Sequence, residues 1–392
     1  MLIGLVGKTN VGKSTFFAAA TLLNVERANR PFTTIKPNRG IGFIRAKCVH
    51  DIFNVNDKIC IDGIRFIPIE LLDVAGLVPG AHTGRGLGNK FLDDLRQADV
   101  FIHIVDASGS TDSEGRPTGP GTNDPLDDIR FLENELDEWM YGIIYKDWDK
   151  FSRTIDQRAI DIATALSERL SGLGYTKGII EKTLIELGLE GKKAVNWKEE
   201  DIREFTKFVR RKGKPEIIAA NKADISTAPD NIKRIAEEVK VPVIPVIAEA
   251  ELALRRAAQK NIIKYRPGDS DFTVLSTNLP TAQLEALKRL KDILSEFGAT
   301  GVQLCLDKAV YEAYGGIVVY PVEDMARLSD KKGNVLPDAI ILKSGSTPVE
   351  LARKIHSELA ERFQYAIDVR SKQRLGSDYT LKNLDVIKIV SS

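Results

Sequence analysis

The run Gly7-Lys8-Thr9-Asn10-Val11-Gly12-Lys13-Ser14 constrains this chain more than any other stretch. It follows residues 1–6, an apolar segment of strand length, and precedes residues 15–20, a helix-prone one. Strand, glycine loop and helix, with G-x-x-x-x-G-K-S in the middle, make a phosphate-binding turn. The glycines let the backbone wrap closely around phosphates. Successive N–H groups and the helix N-terminus then point at the anion. Gly7 through Thr15 form the expected nucleotide-contacting set, with Lys13 reaching the β and γ phosphates and the Ser14 hydroxyl ligating Mg2+.

Residues 65–72 are a second apolar strand, ending at Asp73-Val74-Ala75-Gly76. D-x-x-G is common alone, but at a strand terminus downstream of a glycine loop it is specific. Asp73 is expected on the magnesium side, and the Gly76 amide on a γ-phosphate oxygen. Residues 77–96 hold Gly80, Gly84, Gly86 and Gly88, so ordering them costs much entropy. A plain surface loop would do; a segment ordered by the γ phosphate and released on hydrolysis is the functional reading. Residues 100–106, 216–220 and 241–247 are further apolar strands. His103, inside the first, is expected to be a core residue. The other two lead into Asn221-Lys222-Ala223-Asp224 and into Ala248.

N-K-x-D can read a purine. A carboxylate at Asp224 accepts guanine N1–H and its exocyclic amine together. Adenine would leave that carboxylate desolvated and unpaired, about 1–3 kcal/mol in the wrong direction. Asn221 is expected to brace the loop, the Lys222 stem to lie along the base, and the Ala248 amide to donate to guanine O6.

A length of 392 residues allows two or three domains. With 28% charged residues and a formal net charge of +1, nothing draws the whole chain to nucleic acid or membrane. Cys48, Cys60 and Cys305 are too scattered for a disulfide framework and lack C-x-x-C spacing, which fits a reducing cytoplasm. No apolar run reaches membrane-spanning length, and the first strand begins too early for a signal peptide.

Between residues 106 and 216 apolar positions recur at helical spacing, first Leu126 through Ile143, then Ile155 through Leu173. Two long helices, an antiparallel hairpin, are expected, with shorter helices at 177–187 and 199–211. Residues 203–214 form a basic run containing Phe205 and Phe208. It suits a phosphate-backbone or ribosomal RNA contact; a solvated helix face with its phenylalanines in the core is the favoured reading. Helices are expected at 230–239, 249–261, 281–297 and 301–314. Then strands at 318–322, 339–342 and 384–390 surround a helix at 348–363 opened by the capping box Thr347-Pro348-Val349-Glu350. The expected domains are 1–123 with 215–300, an inserted helical domain at 124–214, and 301–392 with its leading helix. The fold class is α/β, a mostly parallel sheet with flanking helices, plus a small α+β module.

Together these motifs resemble the translation-factor-type GTPases of the Obg group. Residues 4–13, 31–35 and 73–92 narrow the likeness to the YchF branch, and the C-terminal pattern is similar to a TGS domain. The resemblance implies a cytoplasmic GTPase cycling between GTP and GDP. It implies contact with the ribosome or ribosomal RNA through the TGS and helical domains, and no membrane. Thr34 matches the switch threonine that ligates Mg2+ and closes over the γ phosphate with Gly76. Asn10 matches a residue that in related GTPases helps hold K+; a turn residue explains it equally well. Leu77 stands where Ras-like enzymes carry a water-orienting Gln, which implies slow intrinsic hydrolysis. Many YchF members carry N-x-x-E and prefer ATP, whereas N-K-A-D here argues for GTP. Asp94 stands where many carry a switch histidine, so that role does not transfer, and His82 nearby has no motif match. A gated binding module with little hydrolysis, or an ATPase, remains open.

Overall fold

The computed structural model describes residues 1–22, 39–74 and 96–392. Thr34, Gly76, Leu77, His82 and Asp94 lie outside the described residues.

The first strand, β1 (Leu2–Val6), is buried at every position, as a strand covered on both faces must be. It is followed by α1 (Lys13–Thr21), β2 (Arg39–Lys47), the short α2 (His50–Phe53), β3 (Ile64–Asp73) and β4 (Val100–Asp106). After an inserted region come β5 (Glu216–Asn221) and β6 (Val243–Val246). These strands form one sheet in the order β2-β3-β1-β4-β5-β6, with only the edge strand β2 antiparallel to its neighbour. Strands β2 and β3 lie on one side of β1, and the chain then crosses to β4 on the other. Ligands bind at such a topological switch point, beyond the carboxyl ends of the strands. Gly7, Asp73, Asn221 and Ala248 all stand at or just past those ends.

The insertion is helical, with one difference from expectation. Its first helix, α3 (Pro125–Tyr145), is a single rod. The second expected rod is split into α4 (Trp148–Gln157) and α5 (Ile162–Arg169). Ala159 adopts φ 50°, which an α-helix cannot continue through, and the Asp161 side chain accepts from Thr164 N to start a new helix. Next come α6 (Lys177–Glu186) and α7 (Glu199–Gly213). Met140, Ile144, Trp148, Leu166, Ile180 and Phe205 share a core of their own. In its packing, helix α3 straddles the boundary expected at residue 124. Leu132 and Leu136 on α3 pack with Leu2 and Phe101, and Leu126 and Ile129 with Val105 and Ile218. One helix thus belongs to both the sheet and the insertion.

The helices α8 (Ala228–Glu238), α9 (Ala248–Gln259) and α10 (Thr281–Phe297) follow, the last ending at Gly298 with φ 74°. The helix expected to lead the C-terminal domain packs on the first sheet. The next helix, α11 (Val302–Lys308), buries Val302, Cys305 and Leu306 in the same core as Ile3, Ile44 and Ile102. Its Gln303 donates to Phe43 O, and its Asp307 accepts from Arg45 N and Nε, so it fastens β2.

The C-terminal domain is a five-stranded mixed sheet over a helix. The capping box forms as expected: Thr347 N donates to Glu350 Oε2 at 2.8 Å, and Thr347 Oγ1 accepts from Glu350 N. The helix ends at Ile355 rather than running to 363, because His356 is extended at φ −161° and Phe363 opens a strand. This domain meets the first where Tyr320 donates to Lys47 O and Arg65 Nη2 to Pro337 O. No helix among the described residues is long and apolar enough to cross a membrane.

Candidate functional site

Gly7 and Gly12 give the loop after β1 its shape. At Gly7, φ is 142° and a Cβ would lie 2.4 Å from Ile104 O. At Gly12, φ is 97° and a Cβ would lie 2.2 Å from Asn221 Nδ2. No L side chain fits either position. Val11 is fully buried beneath the loop. Thr15 takes a place in the first turn of α1.

Lys13 lies almost wholly inside the loop, and its Nζ donates to Lys8 O at 2.6 Å. Burial pushes its pKa down to about 8, only partly opposed by the Asp73 carboxylate. Ser14 Oγ donates to Asp73 Oδ2 at 3.0 Å. The carboxyl of Asp73 is itself pushed up by burial, against the pull of Ser14 and Lys13. The structure therefore brings together Lys13, Ser14 and Asp73 from two strand ends.

Asn221 joins the phosphate loop to the base loop. It is buried, its Nδ2 donates to Val11 O at 2.8 Å, and its Oδ1 accepts from Ala248 N at 3.1 Å. The Ala248 amide, expected to face guanine O6, is thus spent on Asn221. The Lys222 ammonium, at a residue with φ 60°, pairs with Asp106 Oδ2 at 2.7 Å. Asp224 is exposed and lines a cavity of about 330 Å³ with Ile247, Glu249 and Arg289, the last from α10.

Sequence reasoning missed a group of residues that clasp the loop from outside. Lys8 Nζ donates to Thr111 O and pairs with Asp128 on α3, both contacts buried. Thr9 Oγ1 donates to Glu114 O and Asn10 Nδ2 to Gly115 O. At Gly115 φ is 78°, and a Cβ would lie 1.9 Å from Thr9 Oγ1. Asp106, 1% exposed, accepts from Ser108, Ser110, Thr111 and Lys222. Its place at the end of an apolar strand was the available signal. His103 is a core residue whose pKa burial, with a smaller push from Lys13, takes down to about 3. The basic run on α7 is largely consumed by carboxylates: Arg203 pairs with Glu138 and Glu199, Arg210 with Asp137, Arg211 with Glu133 and Lys212 with Glu186. Phe205 is fully buried and Phe208 half-buried, as the solvated-face reading expects.

Residues 2–138 match the family described as 50S ribosome-binding GTPase, residues 219–324 the Obg-like GTPase YGR210-like, G4 motif-containing domain, and residues 332–391 the TGS domain. A GTP-binding protein of Methanocaldococcus jannaschii is 50% identical over 398 residues, covering 100% of this chain and 99% of its own length. A ribosome-binding ATPase YchF of Haemophilus ducreyi is 33% identical, over 64% of this chain and 66% of its own. A GTP-binding protein of Pyrococcus horikoshii OT3 superposes over 100% of both chains with TM-score 0.79 at 38% identity. The YchF GTPase of Schizosaccharomyces pombe, at 19% identity, shares the fold with TM-score 0.58 over 100% of this chain and 97% of its own. The chain belongs to the Obg group of P-loop GTPases, in its YchF branch with a C-terminal TGS domain.

Proposed function

We propose that this chain binds GTP, hydrolyses it slowly to GDP and phosphate, and acts as a switch on the ribosome. The observation that carries the reading is Asn221. One side chain fastens the phosphate loop at Val11 to the base loop at Ala248, so one ligand with a triphosphate and a purine is held by both. Asp224 in the adjoining cavity selects guanine by its two neighbouring donors. The related M. jannaschii protein carries GTP-binding in its name.

A hydroxyl and a carboxylate, Ser14 and Asp73, already face each other at 3.0 Å, an oxygen donor pair suited to Mg2+. Ser14, Asp73 and Thr34 would hold that ion, which when bound neutralises charge on the phosphates. Lys13 offers a buried ammonium beside the same place, where low dielectric strengthens its hold on phosphate oxygens. Thr34 and Gly76 close over the γ phosphate, and a water attacks in line. With Leu77 unable to orient that water, intrinsic turnover is slow and a partner speeds it. Asn10 Oδ1 is the atom that would reach a K+ ion, since its Nδ2 is engaged with Gly115 O.

The ribosome reading comes from relatives named ribosome-binding and from the TGS domain. In that domain the exposed Arg370 and Lys372 lie in the turn of a strand hairpin, with Arg374 stacked 3.6 Å from the Tyr365 ring centroid. Cations interleaved with an aromatic suit an RNA backbone. Co-sedimentation with ribosomal subunits tests this: binding should be stronger with a GTP analogue than with GDP, and equal or absent binding would refute it. Single-turnover hydrolysis with and without ribosomes separates a GTPase from a binding module. The YchF relatives named ATPases favour a second reading, an ATPase. Competition between GTP and ATP decides: GTP should win in the wild type, and Asp224→Ala should erase the preference.

A further inference from the structure

The connection between β2 and β3 carries chemistry that the nucleotide site does not use. Cys48 Sγ, Cys60 Sγ and a His50 ring nitrogen lie within 4.8 Å of one another. The two sulfurs form a disulfide, which sequence reasoning did not foresee, across Cα positions 6.4 Å apart. Cys48 is buried, while His50 and Cys60 are half-buried.

The imidazole is the informative member. His50 Nε2 lies 2.8 Å from Asp51 Oδ1. A carboxylate accepts, so Nε2 carries the proton and the neutral ring keeps its lone pair on Nδ1. That atom is buried and has no hydrogen-bond partner among the described residues. A buried polar atom without a partner calls for an explanation. A carboxylate behind the far nitrogen is also what orients an imidazole bound to a metal.

The geometry points to a binding site for a divalent metal ion of the zinc class, made by Cys48, His50 and Cys60 when the disulfide is reduced. Two thiolates and an imidazole suit a borderline-soft ion and not Mg2+ or Ca2+, which take oxygen. Bonds of about 2.3 Å to sulfur and about 2.0 Å to nitrogen place tetrahedral ligand atoms roughly 3.5 Å apart, within the spread seen here. Three protein ligands leave one position for water. Formation has two steps. A dithiol reductant passes two electrons and two protons to the S–S bond, becoming a disulfide itself and leaving Cys48 and Cys60 as thiols. The metal then displaces both thiol protons to solvent and accepts the Nδ1 lone pair. Metal and disulfide are alternative clips on one loop. Asp57 in the same loop holds Arg65, which reaches Pro337 O of the TGS domain.

The test uses the full chain, reduced with a phosphine and titrated with Co2+, reading the thiolate-to-cobalt charge-transfer band. The reduced chain should bind one equivalent, and Zn2+ should displace it. The diamide-oxidised chain should show no band. Cys60→Ser should lose at least tenfold in affinity and most of the band. Asp51→Ala should weaken binding by about 10–100-fold, as loss of a backing carboxylate does. Cys305, a free buried thiol, stays in every variant, so any signal of its own appears in the Cys48→Ser, Cys60→Ser double variant. Equal Co2+ binding by reduced and oxidised wild type overturns the proposal, and that comparison needs no substitution that could disturb folding. An unchanged band in Cys60→Ser overturns it equally.

Discussion

Replacing Asn221 by Ala tests the link on which the nucleotide reading depends. The side chain is 5% exposed and makes two bonds, Nδ2 to Val11 O and Oδ1 from Ala248 N. Alanine removes both and leaves a buried carbonyl and a buried amide without partners. Each orphan costs about 1–3 kcal/mol, so the nucleotide-free chain should lose roughly 2–4 kcal/mol of unfolding free energy, with water recovering the remainder. The same bonds fix the spacing between phosphate loop and base pocket. If about 1.4–2 kcal/mol of the loss falls on that spacing, GTP and GDP dissociation constants rise roughly ten- to thirtyfold. Urea unfolding gives the first number and calorimetric titration the second. Asn221→Asp keeps the acceptor for Ala248 but turns a carboxylate towards Val11 O. It should bind nucleotide at least as poorly as the alanine variant. A lower unfolding midpoint with both nucleotide affinities unchanged would show that Asn221 is only a strut, and the reasoning would fail.

Other expectations follow from the same contacts. Lys13 holds its proton less tightly folded than unfolded, because burial takes its pKa to about 8. Between about pH 8 and its ordinary 10.5 the unfolded state binds more protons, so this group makes stability rise with pH there. Lys13→Met should raise the melting temperature of the nucleotide-free chain at pH 7 and abolish triphosphate binding; a lower melting temperature would contradict the buried-charge account. Arg210→Met should leave Asp137 and Glu216 facing each other in the core and cost about 3–5 kcal/mol in urea unfolding, a loss below 1 kcal/mol refuting the buried pairing. Gly115→Val should push residues 114–116 off Thr9, weakening nucleotide binding severalfold by titration while leaving the insertion's helical circular dichroism intact.

The strand-end motifs were legible because each is a local backbone pattern tied to a strand terminus. Gly7, Gly12, Asp73 and Asn221 needed no knowledge of distant partners to be placed. The break at Ala159 was signalled in the sequence only by Asp161, a residue type that starts helices, and the apolar spacing across it masked the signal. The fate of the basic run on α7 could not be read. Periodicity says which residues share a face, and not that Glu133, Asp137 and Glu138 of α3 lie opposite. The packing of α11 on the first core was hidden for the same reason, since Val302, Cys305 and Leu306 fit any apolar neighbour. The disulfide joins two cysteines whose approach depends on the course of the β2–β3 connection.

These long-range pairings also show how the nucleotide loops connect to the insertion. Asn221 joins the base loop to the phosphate loop, and Lys222 ties the base loop to Asp106 and Ser110. The segment after Asp106 in turn grips Thr9 and Asn10. Lys8, in the phosphate loop, is paired with Asp128 in the first turn of α3. That helix runs from the sheet into the core of the insertion, so its two ends cannot tilt independently. A displacement of the phosphate loop large enough to break Lys8 from Asp128 strands a buried charge, while a smaller one carries α3 with it. The smaller displacement therefore reaches Met140 and Ile144, towards the far end of the same helix from the phosphates.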